Sequence, residues 1–179
     1  AACCIHEKLA DYTDFVIKPA SGSGGDGIVV ITGRRKQAYR KINGQILSSE
    51  QLTHHLSNIL SGMYSLGGHA DKALIEYRVS FDPIFNDISY QGVPDIRIIV
   101  FLGVPVMAMV RLPTQLSDGK ANLHQGAIGV GVDIVTGVTN FAVWHNGNIT
   151  EHPDTGVEVN GIQLPQWDHL LEIAARCYE

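Results

Sequence analysis

The alternation of apolar and polar positions predicts a chain built mainly of strands. Runs of β-branched and aromatic residues bounded by turn residues recur along the sequence and are typical of strands. They occupy residues 15–17, 28–31, 39–42, 46–47, 73–79, 96–102, 104–111, 127–132 and 139–144. Asn43-Gly44 predicts a tight hairpin between two of them. Residues 146–163 carry mostly turn chemistry.

Helical periodicity appears in three places. Residues 1–9 predict a short helix, and residues 165–178 predict a second one with Trp167, Leu170, Leu171 and Ala174 facing inward. The clearest stripe has apolar residues at 52, 56, 59, 60 and 63, begins at Ser48 or Ser49, and ends at Gly67-Gly68. His54 and His55 lie beside that stripe, and we predict that they are surface residues.

The most unusual stretch is a glycine-rich loop between the strands at 15–17 and 28–31. Four glycines within residues 22–27 allow positive φ angles and a close approach of the backbone to a ligand. Exposed N–H groups in such a loop form an anion-binding concavity. Together with a lysine from the entering strand, the loop predicts a polyphosphate site, and its candidate ligands are Lys18, Ser21, Gly22, Ser23, Gly24, Gly25 and Gly27.

Two phosphate-binding motifs that the letters allow are excluded by their context. The pattern Gly22-x-Gly24-x-x-Gly27 fits a dinucleotide fingerprint, but that motif must open a helix, and a strand follows here. A protein-kinase loop needs its lysine after the hairpin, followed by HRD and DFG segments, and Lys18 precedes the loop. Two interpretations of the loop remain: a flexible lid between antiparallel strands, and an ordinary glycine-rich hairpin.

Composition narrows the classes of partner. The 179 residues are 45% hydrophobic and 17% charged with a net charge of −5, which suits a soluble globular protein and argues against nucleic acid. No apolar run approaches the roughly 18 residues of a membrane span, and the first residues lack signal-peptide features. Cys3, Cys4 and Cys177 form neither a zinc pattern nor a disulfide framework, so we expect free thiols and a cytoplasmic location.

Several chemistry-bearing residues follow the glycine-rich loop in a telling order. They are Glu76-Tyr77 at a strand end, Asp95-Ile96-Arg97, Arg111, and Asn122-Leu123-His124-Gln125-Gly126. With Lys18 and its loop, this order resembles the ATP-grasp ligases, in the branch that includes RimK-type glutamate ligases. It is most similar to the alpha-L-glutamate-ligase-like proteins described as sugar-transfer-associated ATP-grasp proteins. The resemblance runs from about residue 15 to the end of the chain.

The resemblance implies an α+β fold of two lobes whose antiparallel sheets clasp ATP. Residues 1–11 would form an entering helix, residues 12–80 the small lobe with the glycine-rich loop, and residues 81–179 an incomplete second lobe. We expect the chain to be a fragment that lacks the region preceding the grasp and the C-terminal metal-binding end.

The same resemblance implies roles for single residues. Lys18 and the loop would bind the α- and β-phosphates, Glu76 and Tyr77 the adenine, and Asp82 the ribose. Asn122 and His124 would contact substrate, with His124 also a candidate general base. For Glu76, an ion pair with Arg78 or another strand neighbour is the alternative, and His124 has the alternative of a plain loop histidine.

Arg97 and Arg111 alternate with apolar residues on neighbouring strands, which places both on one sheet face. By resemblance they would act with Asp95 on the γ-phosphate and on an acyl phosphate, with a structural Asp–Arg network as the alternative.

ATP and Mg²⁺ are the implied cofactors, but we assign no metal ligands. In the family an acid on one strand and a Glu-x-Asn pair on the next hold magnesium. Asp133 and Glu158-Val159-Asn160 match those letters in a turn-rich setting, so we expect look-alikes, with the true ligands beyond Glu179.

The function that the resemblance implies for the intact protein is that of an ATP-dependent carboxylate–amine ligase with an acyl-phosphate mechanism, similar to a glutamate ligase, and we expect this chain alone to be inactive. Its partners would be ATP and a small acid and amine, with neither nucleic acid nor membrane. A non-catalytic nucleotide-binding module and a phosphotransferase acting on an alcohol remain as alternatives.

Overall fold

The computed structural model of this chain describes residues 5–36 and 38–178. Contacts between residues divide the chain into two units, Ala1–Val79 (unit 1) and Ser80–Glu179 (unit 2). Each unit contains one antiparallel sheet of five strands and a hydrophobic core of its own. The architecture is therefore α+β, with few helices beside two sheets.

Unit 1 begins with a one-turn helix and then builds its sheet from hairpins. The elements are α1 (Ile5–Lys8), β1 (Phe15–Pro19), β2 (Val29–Arg35), β3 (Ala38–Lys41), β4 (Ile46–Ser48), α2 (Ser49–Leu60) and β5 (Ala73–Glu76). The strand order is β4-β3-β2-β1-β5. The predicted residues 1–4 of the first helix lie outside the described residues.

Alternation along β1 separates the core face of this sheet from an open face. Phe15, Ile17 and Pro19 are buried, whereas Val16 and Lys18 are half-buried on the opposite side. The buried residues pack with Val29, Ile31 and Tyr39 of neighbouring strands and with the apolar stripe of α2, namely Leu52, Leu56 and Ile59. The open face of the sheet is therefore available for polar chemistry.

Helix α2 starts where its sequence predicts and ends earlier. Ser48 accepts a hydrogen bond from Gln51 N at 3.1 Å, and Gln51 Oε1 accepts one from Ser48 N at 2.8 Å, which completes a capping box. The helix ends at Leu60 rather than at Gly67-Gly68, because the chain turns through Gly62 at φ +87°. Its apolar stripe accordingly stops short of Met63, which is exposed.

Unit 2 consists of a second meander with a C-terminal helix packed on it. Its elements are β6 (Asp95–Phe101), β7 (Val104–Leu112), β8 (Ile128–Val132), β9 (Thr139–Trp144), β10 (Gly147–Ile149) and α3 (Trp167–Arg176), with 3₁₀ helices at Pro83–Phe85 and Leu123–Gln125. The order is β10-β9-β8-β7-β6. Strand β10 lies within residues 146–163, where the sequence predicted mostly turns.

One face of the second sheet forms the larger core. Val110, Leu112, Ile128, Val130 and Ala142 are buried there, and Trp167, Leu170 and Leu171 of α3 pack against them as predicted. The opposite face carries Asp95, Arg97 and Arg111, because Asp95 pairs directly with Arg111 and Arg97 pairs with Met109. The predicted shared face of the two arginines is confirmed.

Helix α3 is docked on the turn between β8 and β9. Gly137 has φ +73°, and a Cβ there would lie 2.3 Å from Cγ of Trp167. The indole Nε1 also donates to Ile134 O at 3.0 Å. The ring thus occupies the space that a side chain at residue 137 would need.

Among the described residues, no helix has the length and apolar character needed to cross a membrane.

We predict that Gly137→Ala destabilises unit 2 far more than Gly156→Ala. Both glycines have positive φ, +73° and +69°, but a Cβ at residue 156 would meet nothing within 4 Å. Left-handed strain costs about 1–2 kcal/mol at either position, and the clash with Trp167 adds about 1–3 kcal/mol of overpacking at residue 137. Urea unfolding followed by tryptophan fluorescence reports on unit 2, since both tryptophans, Trp144 and Trp167, lie there. Equal losses for the two variants would contradict the docking.

Candidate functional site

The glycine-rich loop of unit 1 is tied down where it leaves β1. Ala20 N donates to Lys72 O at 2.9 Å, and Ser21 N donates to Asp71 Oδ2 at 2.9 Å. Leu66 N donates to Ser21 O at 3.1 Å, and Gly22 forms an isolated β-bridge with Ser65. The first half of the loop therefore lies against the segment that connects α2 to β5.

The tip of the loop depends on glycine in two different ways. Gly24, Gly25 and Gly27 have φ values of +66°, +84° and +76°, a region that L side chains rarely adopt. Gly22 lacks a positive φ, but a Cβ there would lie 2.5 Å from Cγ of Pro19. The turn closes when Asp26 N donates to Ser23 O at 3.2 Å.

The carboxyl end of the loop contacts α2 through a histidine. His55 Nε2 lies 2.9 Å from Gly27 O, and the ring of Tyr64 packs where a Cβ of Gly27 would lie, 2.6 Å from that position. The prediction that His55 is a surface residue is wrong: it is half-buried, whereas His54 is exposed. The missed pattern was available, since positions 52, 55, 56 and 59 share one helical stripe.

Lys18 is held on the open face of the sheet by Glu76. Its Nζ lies 2.6 Å from Glu76 Oε2, and both side chains are partly exposed, at 36% and 49%. The register explains the contact, because Lys18 pairs with Leu74 and Val16 pairs with Glu76. Glu76 is thus paired with a strand neighbour rather than with Arg78, which lies 3.3 Å from Asp14.

Apolar side chains lie beside this ion pair on the same sheet face. Val16 and Val30 are directly opposed on β1 and β2, and Leu74 lies opposite Lys18. All three share the face of Lys18, where Leu74 is 39% exposed. The result is a partly exposed apolar surface next to one cation and one carboxylate.

Tyr77 and Asp82 have local roles in the structure. The ring of Tyr77 is 81% exposed and contacts the edge of Tyr12, with centroids 6.4 Å apart. Asp82, which belongs to unit 2, caps the 3₁₀ helix Pro83–Phe85 by accepting from Ile84 N at 3.0 Å. One oxygen of its carboxylate is therefore used by the backbone.

In unit 2 the polar face of the sheet centres on the ion pair between Arg111 and Asp95. The Arg111 side chain is only 18% exposed, and that of Asp95 is 36% exposed. Arg97 lies on the same face and is exposed. The Nε of Arg111 is buried without a hydrogen-bond partner in the described part of the chain, so this guanidinium retains donor capacity.

The loop at residues 113–126 (the 113–126 loop) brings Asn122 and His124 to the same end of the sheet. Leu123 lies 3.5 Å from the Cβ position of Gly129, and Gly129 pairs with Arg111. Asn122 caps the 3₁₀ turn by accepting from His124 N at 3.0 Å, and the His124 side chain is exposed.

Residues that the sequence left unassigned hold this loop in place. His152 is buried, and its Nε2 lies 2.9 Å from Pro113 O. Asp154 Oδ2 accepts from Gln115 N at 2.7 Å. Gly126 O accepts from Thr114 Oγ1 and from Trp144 Nε1, both at 2.8 Å. Both ends of the loop are thereby fixed to the sheet and to the segment after β10.

The residues that match the family's metal letters lie in separate settings. Asp133 Oδ1 accepts from Val135 N at 3.1 Å and from Thr136 N and Oγ1 at 2.8 Å, and the bond from Thr136 N holds the pKa of Asp133 below its ordinary value. Glu158 is exposed in an isolated bridge with Glu151. Asn160 Oδ1 is buried without a partner among the described residues. The described residues also contain no cluster of three acid, histidine or cysteine side chains suited to a metal. These residues do not fit a magnesium site.

We predict that Asp71→Ala loosens the glycine-rich loop at neutral pH and has little effect in acid. The hydrogen bond from Ser21 N holds the pKa of Asp71 below its ordinary 3.8. A carboxylate whose pKa is lowered in the folded state stabilises it fully above pH 3.8, and this contribution is lost as pH falls through the lowered pKa. Amide exchange of residues 20–28 in wild type and variant, compared at each pH, measures the effect.

The control for this prediction is Asp11→Ala, which removes an exposed carboxylate from the same unit. Exchange in Asp71→Ala that matches wild type at pH 7 would show that this carboxylate does not hold the loop.

Comparison with known proteins bears directly on this arrangement. A family model described as sugar-transfer associated ATP-grasp matches residues 4–179, whereas no curated protein and no solved structure gives a match. Two antiparallel sheets in an α+β chain agree with that family, whose ATP-grasp enzymes are ATP-dependent ligases or transferases that typically use Mg²⁺. The resemblance inferred from Lys18, its loop and the ordered arginines is confirmed: the chain belongs to the sugar-transfer-associated ATP-grasp family.

Proposed function

We propose that this chain forms the nucleotide-binding part of an ATP-dependent carboxylate–amine ligase. Family membership supports an ATP-dependent ligase or transferase, and the carboxylate–amine assignment is our narrower inference. The observation that carries it is the position of Lys18, near the end of β1 and just before the anchored glycine-rich loop. Glu76 holds its side chain on the open sheet face. A cation beside a loop of this kind suits the phosphates of a nucleotide.

In this proposal unit 1 binds ATP. The loop residues Ser21, Gly22, Ser23, Gly24, Gly25 and Gly27 contact phosphate oxygens with Lys18. The apolar surface of Val16, Val30 and Leu74 offers a face for the base. Glu76, at the end of β5, and Tyr77, which follows it, contact the adenine.

The polar face of unit 2, taken by itself, suits the stabilisation of a phosphoryl group. A carboxylate oxygen of the substrate attacks the γ-phosphorus, and the bond to the β-γ bridging oxygen breaks. ADP is released and the substrate becomes an acyl phosphate. Arg111 and Arg97 stabilise the charge on the transferred phosphoryl group, and Asp95 holds Arg111 in place. These two guanidiniums share one sheet face, which supports the assignment.

An amine then attacks the acyl carbon and inorganic phosphate departs, so an amide forms. His124 is exposed on the 3₁₀ turn beside the Arg111 end of the sheet, and we assign it to accept the proton of the amine. Asn122 orients that turn through its cap on His124 N. No enzyme nucleophile takes part, and the described residues do not fit a site for Mg²⁺.

The identity of the acid is a further part of the proposal. Similarity to glutamate ligases favours glutamate or a related amino acid, whereas the family's description mentions sugar transfer.

ATP dependence and the exposed free thiol of Cys177 support a cytoplasmic location.

Phosphoryl transfer to an alcohol is the second candidate. The description of the family as associated with sugar transfer favours it, because sugars offer hydroxyl groups as acceptors. This reaction uses the same loop, Lys18 and arginines, but it forms no acyl phosphate.

Hydroxylamine trapping distinguishes the candidates. We predict that the intact protein of which this chain is the nucleotide-binding part, given ATP, Mg²⁺, a panel of carboxylic acids and hydroxylamine, forms a hydroxamate together with equal amounts of ADP and phosphate. Hydroxylamine attacks an acyl phosphate and cannot react in this way with a phosphorylated alcohol. ADP formed with a sugar and without free phosphate would identify the phosphotransferase. ATP binding without any turnover across acids and sugars would leave a non-catalytic module.

We predict that Lys18→Ala weakens ATP binding about tenfold to hundredfold, the range expected for losing charge-assisted hydrogen bonds. The matched control is Lys72→Ala, which removes an exposed lysine near the base of the same loop. Calorimetric titration of both variants with ATP measures the effect. An unchanged affinity in Lys18→Ala would remove this lysine from the site.

A further inference from the structure

We propose that His55 is a positioning residue that fixes the orientation of one peptide unit in the glycine-rich loop and thereby sets the affinity for nucleotide. The contribution to nucleotide affinity rests on the function proposed above. The contribution to loop conformation is independent of it.

The peptide unit between Gly27 and Ile28 is held at both of its polar groups. Gly27 O lies 2.9 Å from His55 Nε2, and a carbonyl oxygen only accepts, so this ring nitrogen carries the hydrogen. Ile28 N donates to Gly25 O at 3.4 Å. Rotation of this unit would break both hydrogen bonds at once.

Such rotation is the main hazard of a loop made of glycine. Glycine adopts positive and negative φ about equally, so a peptide flanked by glycine rotates at little steric cost. Gly27 has φ +76°, and a flip of the following peptide would exchange the positions of its carbonyl and its N–H. Carbonyl oxygens directed at a phosphate repel it, whereas N–H groups attract it. A fixed donor to Gly27 O therefore protects the anion-binding form of the loop.

The donor stands on a rigid element. Leu52, Leu56 and Ile59 of α2 are buried in the core of unit 1, and His55 lies on the same stripe. The ring of Tyr64 packs against Gly27 and lies 5.5 Å from the His55 ring, measured between centroids. Because α2 is packed in the core, its His55 holds the end of the loop at a fixed position relative to that core.

Three variants test this role. His55→Leu removes the donor and keeps an apolar side chain, and His55→Gln restores an N–H at similar reach. The control is His54→Leu, because His54 is exposed on the same helix and contacts Asn58. Amide exchange of residues 22–28 without nucleotide measures loop order, and calorimetric titration with ATP measures affinity.

We expect His55→Leu to accelerate exchange in residues 22–28 and to weaken ATP binding, each about threefold to tenfold, as for one lost hydrogen bond. His55→Gln should recover most of both effects, and His54→Leu should match wild type. Exchange or affinity that is unchanged in His55→Leu overturns the proposal, as does an equal loss in His54→Leu. If His55→Leu unfolds, His55→Gln decides by itself: exchange and affinity near those of wild type support the role, and a full loss of either overturns it.

Failure of the proposed function gives a different result. Wild-type protein that binds no ATP contradicts the nucleotide site and with it the effect on affinity. Exchange without ligand still decides whether His55 holds the loop.

Discussion

A loop rich in glycine does not hold its own shape, and this constraint governs unit 1. Ordering a glycine costs more conformational entropy than ordering any other residue. The segment from Ala20 to Ile28 contains four glycines and therefore needs hydrogen-bond partners from elsewhere. The connection from α2 to β5 provides Asp71 and Ser65 as partners and the ring of Tyr64 as a packing contact, and α2 itself provides His55. The core of unit 1 thus determines the shape of the anion-binding loop.

Unit 2 also fixes a loop with side chains from distant parts of the chain. The 113–126 loop carries Asn122 and His124, and its ends are fixed by His152, Asp154 and Trp144. His152 accepts from Asp154 N at its Nδ1, at 3.2 Å, so its Nε2 carries the hydrogen that Pro113 O receives. This buried imidazole connects Pro113 to Asp154. The turn-rich segment after β10 is therefore part of the scaffold of the candidate site.

How much of this was readable from the sequence depends on the range of each interaction. Local patterns specified the hairpin at Asn43-Gly44, the capping box at Ser48 and the shared face of Arg97 and Arg111, because each follows from neighbours in the chain. The anchors Asp71 and His152 lie 50 and 39 residues from the groups they bind. No spacing rule reaches across such distances, since the approach is created by strand pairing. His55 is different, because helical periodicity already put it on the buried stripe.

The residues that match the family's metal motif have the right letters in the wrong surroundings. Glu158-Val159-Asn160 has the right composition, but Val159 is a core residue whose carbonyl accepts from Thr139 Oγ1 at 2.8 Å. Asp133 similarly spends one carboxylate oxygen on its own turn. Short patterns of acids and amides arise in turns for reasons of backbone hydrogen bonding. Their letters therefore carry little information about metals until the surrounding elements are known.

The two cross-strand ion pairs are better explained by preorganisation than by stability. Partly exposed pairs such as Lys18–Glu76 contribute about 0–1 kcal/mol to folding, so stability alone gives little reason for them. Each pair instead holds a long, flexible cation in one place on an open sheet face, which removes part of the entropic cost of ordering it around an anion. A phosphate carries more negative charge than one carboxylate and can recruit the cation from its partner. In the proposed reaction, Glu76 holds Lys18 until this cation binds the phosphates of ATP. Asp95 likewise holds Arg111 until this cation binds the phosphoryl group in transfer.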